Sequence, residues 1–518
     1  MRAIDYFDKG VARDPQRLLA VSGGDALTFA EGQELSWRIA RGLYGAGFLR
    51  GDGVAVFAPN EPIALAAMLG AWRAGGAWVP LNPRNAPDAS IRYMGDVGAR
   101  WLFYHSSFRE EAAAIADAVP SVKRAICLDD ASSSRSLERF VDEGTAFVDW
   151  GDPFGNPDVV MAYFPTGGTT GASKASKFTN RAWSAMIDIA LSHWPGADDP
   201  VNLMVAPITH AAGGTAAILA TIGATTVMHA GFEPGAALAE IERRRVTHVF
   251  LPPTAYYALL DHPSVAEHDL SSLRMVLISA APVAPDRLAR GVELFGPSVC
   301  QCYGQAESPF VLSWLPPEVV AAAAAGDHGA RLASAGRATL PTVLGIMDEE
   351  GNLLEPGARG EIVARGRLVA DGYLDRPEET AEVRTHGWHH TGDVGYLDED
   401  GFLYIVDRKK DMIISGGFNV YSSEVEAAVL SLDEIRECAV IGIPDDRWGE
   451  MVTAVVVRTA ESEIGADRII ATCKATLGSV KTPKRIEFVD ALPKTPTGKI
   501  DKKVVRSAYW AGRDRLVG

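Results

Sequence analysis

The chain reads as an α/β protein. It predicts a large N-terminal domain of parallel-rich sheets covered by helices, with a β-rich subdomain, and a small α+β C-terminal domain. Three observations carry this reading. Helical and strand patterns alternate through most of the sequence, the rhythm of parallel strands joined by crossover helices. From about residue 340 to 407 the texture changes to short strands and turns. The charged run Asp407-Arg408-Lys409-Lys410-Asp411 then opens a final compact unit. At 518 residues the chain exceeds what one hydrophobic core supports, so more than one domain is required.

Taken in order, residues 33–49 read as a helix, Gly53 to Ala58 as a buried strand, 62–75 as a second helix and Ala77 to Leu81 as a second strand. The stretch from Val201 to Phe232 contains no charged residue and is long enough to span a bilayer. Pro207, His210, Gly213, Gly214, Gly223 and His229 interrupt it, so it predicts strand, glycine-rich turn, buried helix and strand, and no membrane span. In the β-rich region Val343–Met347, Gly360–Ala364 and Gly401–Val406 read as strands, with a hairpin turn at Glu350-Gly351-Asn352. The charged run at 407–411 is either a hinge or a solvated turn. Beyond it a helix is expected from Ser423 to about Leu430, with strands at Glu437–Ile443 and Val452–Val457.

Composition narrows the function. The chain is 47% hydrophobic and 22% charged, ordinary for a globular protein. Its 50 basic and 66 acidic residues give a net charge of −16, the opposite of a nucleic-acid binder's footprint. Five scattered cysteines with no CxxC pair exclude a disulfide scaffold and argue against structural zinc. Charges directly after Met1 leave no apolar signal core, and no lipidation or peroxisomal signal is read at the other end, so a cytoplasmic enzyme is expected.

Residues 161–175, Met-Ala-Tyr-Phe-Pro-Thr-Gly-Gly-Thr-Thr-Gly-Ala-Ser-Lys-Ala, combine glycines, hydroxyls and one lysine. Glycines let backbone N–H groups approach a phosphate, Thr166, Thr169 and Thr170 add donors, and Lys174 adds positive charge. The spacing fits neither a Walker A loop nor GxGxxG. It resembles the Thr-Ser-Gly-Thr-Thr-Gly-x-Pro-Lys-Gly loop of the adenylate-forming (ANL) superfamily, which contains the acyl-CoA synthetases. Thr166, Gly168, Thr169, Thr170, Gly171 and Lys174 match. Gly167, Ser173 and Ala175 depart, leaving the cradle chemistry intact in a loop of greater freedom.

Further motifs follow in family order. Gln301–Glu307 is similar to the Tyr-Gly-x-Thr-Glu motif, implying that Tyr303 stacks on adenine beside Gly304 and that Glu307 helps hold Mg²⁺. Ala306 replaces the family threonine. Ser279-Ala280-Ala281-Pro282 resembles the adenine-binding turn, and Thr391-Gly392-Asp393 with Asp407-Arg408 resembles the ribose grip, with Asp393 and Arg408 as its contacts. Ser415 to Glu426 carries the C-terminal signature. Leu492 to Lys499 matches the loop bearing the catalytic lysine, Lys499, whose cation suits the charge that concentrates during adenylation. Asp52–Val56 and Trp78–Pro83 also look like the family, so the resemblance covers nearly the whole chain.

The resemblance implies two domains, 1–408 as the ATP- and acyl-binding adenylation domain and 409–518 as a mobile lid hinged at Lys410. It implies two half-reactions: a carboxylate attacks MgATP to give acyl-adenylate and pyrophosphate, then coenzyme A attacks and AMP leaves. Gly416 and Gly417 are expected beside the pantetheine channel, where the missing Cβ atoms admit a narrow thiol arm. His210 stands at the family's gate near the acyl carboxylate. Trp183, Ala211 and Gly213 are expected to line an apolar pocket for an aryl, alicyclic or medium-to-long acyl acid. No aspartate lies between Val201 and Phe232 to hold an amino acid's ammonium. Two alternatives stand beside the acyl-CoA ligase: an adenylation enzyme that loads a carrier-protein pantetheine, and a non-catalytic nucleotide-binding sensor. The sequence leaves oligomeric state open.

Overall fold

The computed structural model describes residues 1–144, 156–166, 174–460, 462–494 and 500–510. The chain forms two compact units, Met1–Leu344 with Ala364–His389, and Gly345–Val363 with His390–Gly518.

The first unit is built on two sheets. One has six strands in the order Arg124–Cys127, Trp101–Tyr104, Gly53–Phe57, Ala77–Pro80, Val160–Pro165 and Ala175–Thr179. Its first five strands run parallel and the last returns antiparallel. Gly53–Phe57 and Ala77–Pro80 are buried along their whole length, as continuous apolar runs between helical layers must be. The other sheet has nine strands. A parallel core of Leu18–Ser22, Thr225–Met228, Val201–Met204, His248–Leu251, Met275–Ile278 and Val299–Gln305 is edged by antiparallel strands on both sides.

The uncharged stretch resolves into the strand Val201–Met204, the buried helix Ala211–Ala220 and the strand Thr225–Met228, as its punctuation predicts. Among the described residues no helix is long and apolar enough to cross a membrane. The helix expected at 33–49 runs instead from Phe29 to Gly45. Thr28 and Glu31 form a capping box, each side chain satisfying the other's backbone N–H, and this fixes the earlier start.

The β-rich region is a four-stranded sheet in the order Thr342–Met347, Gly360–Gly366, His389–Leu397 and Leu403–Arg408. The C-terminal sheet centres on the antiparallel pair Ile435–Asp445 and Gly449–Arg458. Side chains alternate between its faces. Cys438 and Val440 join one apolar cluster with Val425 and Val429 of the helix Ser422–Leu430. Ala439, Ile441 and Ile443 join another, against which Ile500, Val505 and Tyr509 pack.

Candidate active site

Two paired strands flank the glycine-rich segment. Val160–Pro165 and Ala175–Thr179 pair antiparallel, and the Thr166 N–H donates to the Lys174 carbonyl at 2.9 Å, closing the mouth of the loop. Gly168, Thr169, Thr170 and Gly171 lie outside the described residues, as does Lys499. Thr166 is buried at the end of the entering arm.

A segment that carried no signal in the sequence reading ties this hairpin to the expected metal carboxylate. The Leu374 N–H donates to the Ala175 carbonyl at 2.9 Å, and the Lys177 N–H donates to Gly372 at 2.8 Å. The Ala370 N–H donates to the Glu307 carbonyl at 2.7 Å. Tyr373 sits between: its hydroxyl donates to Glu307 Oε1 at 2.7 Å, and the Lys174 ammonium lies 5.0 Å from its ring centroid. Burial, and then the Glu307 charge, push the Tyr373 phenol well above its ordinary range, so it stays a donor. Three stretches distant in sequence thus bring a cation and a carboxylate to one aromatic ring. Gly372-Tyr373-Leu374 has no period or charge to announce it.

The Ser279–Pro282 turn follows the strand Met275–Ile278 at its carboxyl end, where open α/β sheets bind ligands. The Ser279 hydroxyl donates to the Cys302 carbonyl at 2.8 Å, fixing the turn against the strand that carries Tyr303 and Gly304. Ala280 has φ 80, a left-handed conformation that glycine adopts at less cost. Tyr303 is 9% exposed.

In the second unit Asp393 and Arg408 face one another across an antiparallel pair, with Arg408 Nε 3.3 Å from Asp393 Oδ1. The Asp393 N–H donates to Thr391 Oγ1, whose hydroxyl donates to the Ile362 carbonyl at 2.7 Å, so the expected ribose carboxylate sits on a braced turn. Lys410 lies in the short helical turn Lys409–Asp411. Burial, reinforced by Arg408, pushes its ammonium down to about 8.

Around Lys410 runs a buried ionic network. Lys502 Nζ lies 2.7 Å from Glu426 Oε1 and donates to Ser422 Oγ at 2.7 Å. Ser422 in turn donates to Asp407 from both its N–H and its hydroxyl, and Arg506 pairs with Asp411 at 2.8 Å. Burial works to lower the Lys502 ammonium, but Glu426, Asp407 and Asp411 outweigh it and the net shift is upward.

Gly416 and Gly417 occupy the two-residue turn between Ile413–Ser415 and Phe418–Val420, with φ 60 and 80. Positive φ at both central positions is the hairpin geometry that matches strand twist, so the turn itself favours glycine at both. At Gly416 a Cβ would also come 2.8 Å from the Trp448 ring.

His210 directly precedes the helix Ala211–Ala220, after the carboxyl end of Val201–Met204. The small residues beside it serve packing. A Cβ on Gly213 would lie 2.0 Å from the Ile208 carbonyl oxygen, and one on Gly214 would lie 2.9 Å from the Phe310 ring. Ala211 is partly buried. Trp183 is 1% exposed, its ring centroid 5.0 Å from that of Trp72 and 6.3 Å from that of Phe178.

All five cysteines are free and buried. Among the described residues no group of three or more His, Cys, Asp or Glu side chains could hold a metal ion. Glu307 offers the carboxylate oxygens that Mg²⁺ prefers, and the Tyr373 hydroxyl holds that carboxylate in place.

An α/β unit with an antiparallel strand pair flanking a glycine-rich segment, a small-residue turn at a strand's carboxyl end and a C-terminal sheet defines a class, and comparison with known proteins agrees. The AMP-binding enzyme family matches residues 7–374, and the AMP-binding enzyme C-terminal domain matches residues 424–499. The chain belongs to this family. It is 38% identical over 496 residues to the feruloyl-CoA synthase of an Amycolatopsis species, covering 94% of this chain and 95% of that one. It is 42% identical over 372 residues to the medium/long-chain-fatty-acid–CoA ligase FadD8 of Mycobacterium tuberculosis, covering 70% of this chain and 63% of FadD8. Among solved structures, the amide bond synthetase McbA of Marinactinospora thermotolerans superposes with a TM-score of 0.86 at 32% identity, covering 98% of this chain and all of that one.

Proposed function

We propose that the chain is an AMP-forming acid–thiol ligase that activates an apolar carboxylic acid as its adenylate and transfers the acyl group to coenzyme A. The observation that carries this reading is the meeting of Lys174 and Glu307 on Tyr373 at the mouth of the hairpin loop. Lys174 offsets charge on the ATP phosphates, and the loop hydroxyls and N–H groups orient them. Mg²⁺ held at Glu307 would neutralise phosphate charge. Tyr303, Ser279 to Pro282 and Gly304 hold the adenine, and Asp393 with Arg408 hold the ribose. The acid's carboxylate lies at His210 and attacks the α-phosphate, breaking the bond to the β-phosphate so that pyrophosphate leaves, with Lys499 stabilising the charge that develops. The lid, 409–518, then pivots at Lys410, withdrawing Lys499 and presenting the Gly416-Gly417 turn to the pantetheine arm. The thiol attacks the acyl carbonyl and AMP leaves.

The relatives' names bracket the acid: one is a feruloyl and one a medium/long-chain fatty acyl ligase. An aryl or medium-to-long acyl acid fits both. The test is product analysis by mass spectrometry with ATP, Mg²⁺, coenzyme A and a panel of ferulate, benzoate, cyclohexanecarboxylate, decanoate and malonate. A thioester from an apolar acid, lost in Lys499→Ala, is the expected result. Acyl-AMP without thioester would move the acceptor to a carrier protein or an amine. Nucleotide binding without any adenylate would favour the sensor.

A further inference from the structure

We propose that Asn82 is a positioning residue for His210, and that Asn60 holds the backbone on which His210 is carried. The inference rests on the placement of His210 at the acid's carboxylate. Both asparagines follow parallel strands of the six-stranded sheet, Asn60 after Gly53–Phe57 and Asn82 after Ala77–Pro80. They are 4% and 2% exposed, so each amide must find its partners inside the protein.

Asn60 spends its whole side chain on exits from the other sheet. Its Oδ1 accepts from the Ile208 N–H at 2.7 Å, and its Nδ2 donates to the Ala206 and His229 carbonyls, each at 2.9 Å. Ala206 and Ile208 belong to the segment after Val201–Met204, and His229 follows Thr225–Met228. One amide therefore pins two neighbouring strand exits and sets the path of the chain into His210.

Asn82 acts on the ring. Its Nδ2 is 3.2 Å from His210 Nε2, and its Oδ1 accepts from the Arg84 N–H at 3.0 Å. The second bond decides which end of the amide faces the histidine, because a flipped amide would set two N–H groups against each other. Nδ2 can only donate, so His210 Nε2 accepts and the ring proton sits on Nδ1. Asn82 thus selects both the rotamer and the tautomer of the ring that meets the acid. A group misplaced by an ångström at a reacting centre costs up to about 100-fold in rate.

A double-mutant cycle tests this, read as kcat/KM for the acid in the adenylate-forming half-reaction by pyrophosphate exchange. The acid is ferulate or decanoate, whichever of the two gives more thioester. Asn82→Ala is expected to lower kcat/KM for the acid by about 10-fold or more in the parent, with KM for ATP within twofold. In a His210→Ala background the same change is expected to cost less than twofold. An equal loss in both backgrounds overturns the positioning role and leaves His210 at the acid. If His210→Ala leaves kcat/KM for the acid unchanged, the placement of His210 fails and this inference falls with it. Asn82→Asp guards against a folding defect: it keeps the side chain's shape and the Arg84 bond but removes the donor. Its KM for ATP should stay within twofold of the parent, which reports a folded nucleotide site, while kcat/KM for the acid falls as in Asn82→Ala. Parent-like kcat/KM in Asn82→Asp would also overturn the inference.

Discussion

Tyr373 joins two functions that the sequence assigns to distant motifs. Its hydroxyl donates to Glu307 and its ring underlies Lys174. Hydrogen bonds to charged groups contribute about 1.5–3 kcal/mol, so Tyr373→Phe is expected to lower kcat/KM for ATP by roughly tenfold to a hundredfold in pyrophosphate exchange. The loss should shrink at high Mg²⁺ if the phenol serves to hold the metal's carboxylate. Ala280 makes the opposite point. Its φ of 80 is strained for any residue with a Cβ. Ala280→Gly should therefore raise the melting temperature of the first unit, by the equivalent of about 1 kcal/mol. Differential scanning calorimetry reads this directly, and a lower melting temperature would show that the methyl group packs to more effect than the backbone is strained.

At the scale of elements, the C-terminal sheet is braced by charge as well as by apolar packing. Lys502 opens the short helix Lys502–Ser507 and reaches Glu426 on the helix Ser422–Leu430. Burial raises the Glu426 carboxyl above its ordinary range, with Lys502 holding it partly down, and Asp407 is raised in the same way. Removing the cation strands two buried carboxylates. Lys502→Met should destabilise the second unit by about 3–5 kcal/mol. Hydrogen exchange across Ile435–Asp445 should accelerate accordingly, while exchange in the first unit stays unchanged. Lys502→Arg, which keeps the charge, should recover most of the protection. Loss of protection in both variants alike would mean that shape and not charge is what the site requires. The hairpin at Gly416-Gly417 shows how an element can look functional for a local reason. Two glycines fit a narrow channel, and they are also what a two-residue turn with positive φ favours.

At the scale of the whole molecule, Lys410 makes stability depend on pH. Its ammonium titrates at about 8 in the folded chain, against an ordinary value of 10.5. Between those values the unfolded chain binds the extra proton, so stability rises as pH increases from about 8 to about 10.5. Lys410→Met should abolish that rise in urea unfolding followed as a function of pH, and a parent curve that falls through this window would contradict the shift. The alternation of strands and helices, the punctuation of the uncharged stretch and the turn chemistry of 340–407 were all legible in the chain, because burial pattern and turn residues are local properties. So was the order of the nucleotide motifs, since each needs particular residues at short spacing. The start of the helix at Phe29 was legible in principle, in Thr28 and Glu31, but apolar period alone placed it later. The contacts of Tyr373, Asn60 and Asn82 were not legible. Their partners lie 66, 148 and 128 positions away, and no local pattern encodes a contact of that range. The small residues after His210 read two ways for a related reason: smallness makes room either for a ligand or for a neighbouring group, and only the fold shows that a Cβ on Gly213 or Gly214 would meet Ile208 or Phe310. The sequence by itself determined the layers and the family. Tertiary structure alone decided which partners the buried amides and hydroxyls meet, because burial forces a polar atom onto whatever partner the fold brings within reach.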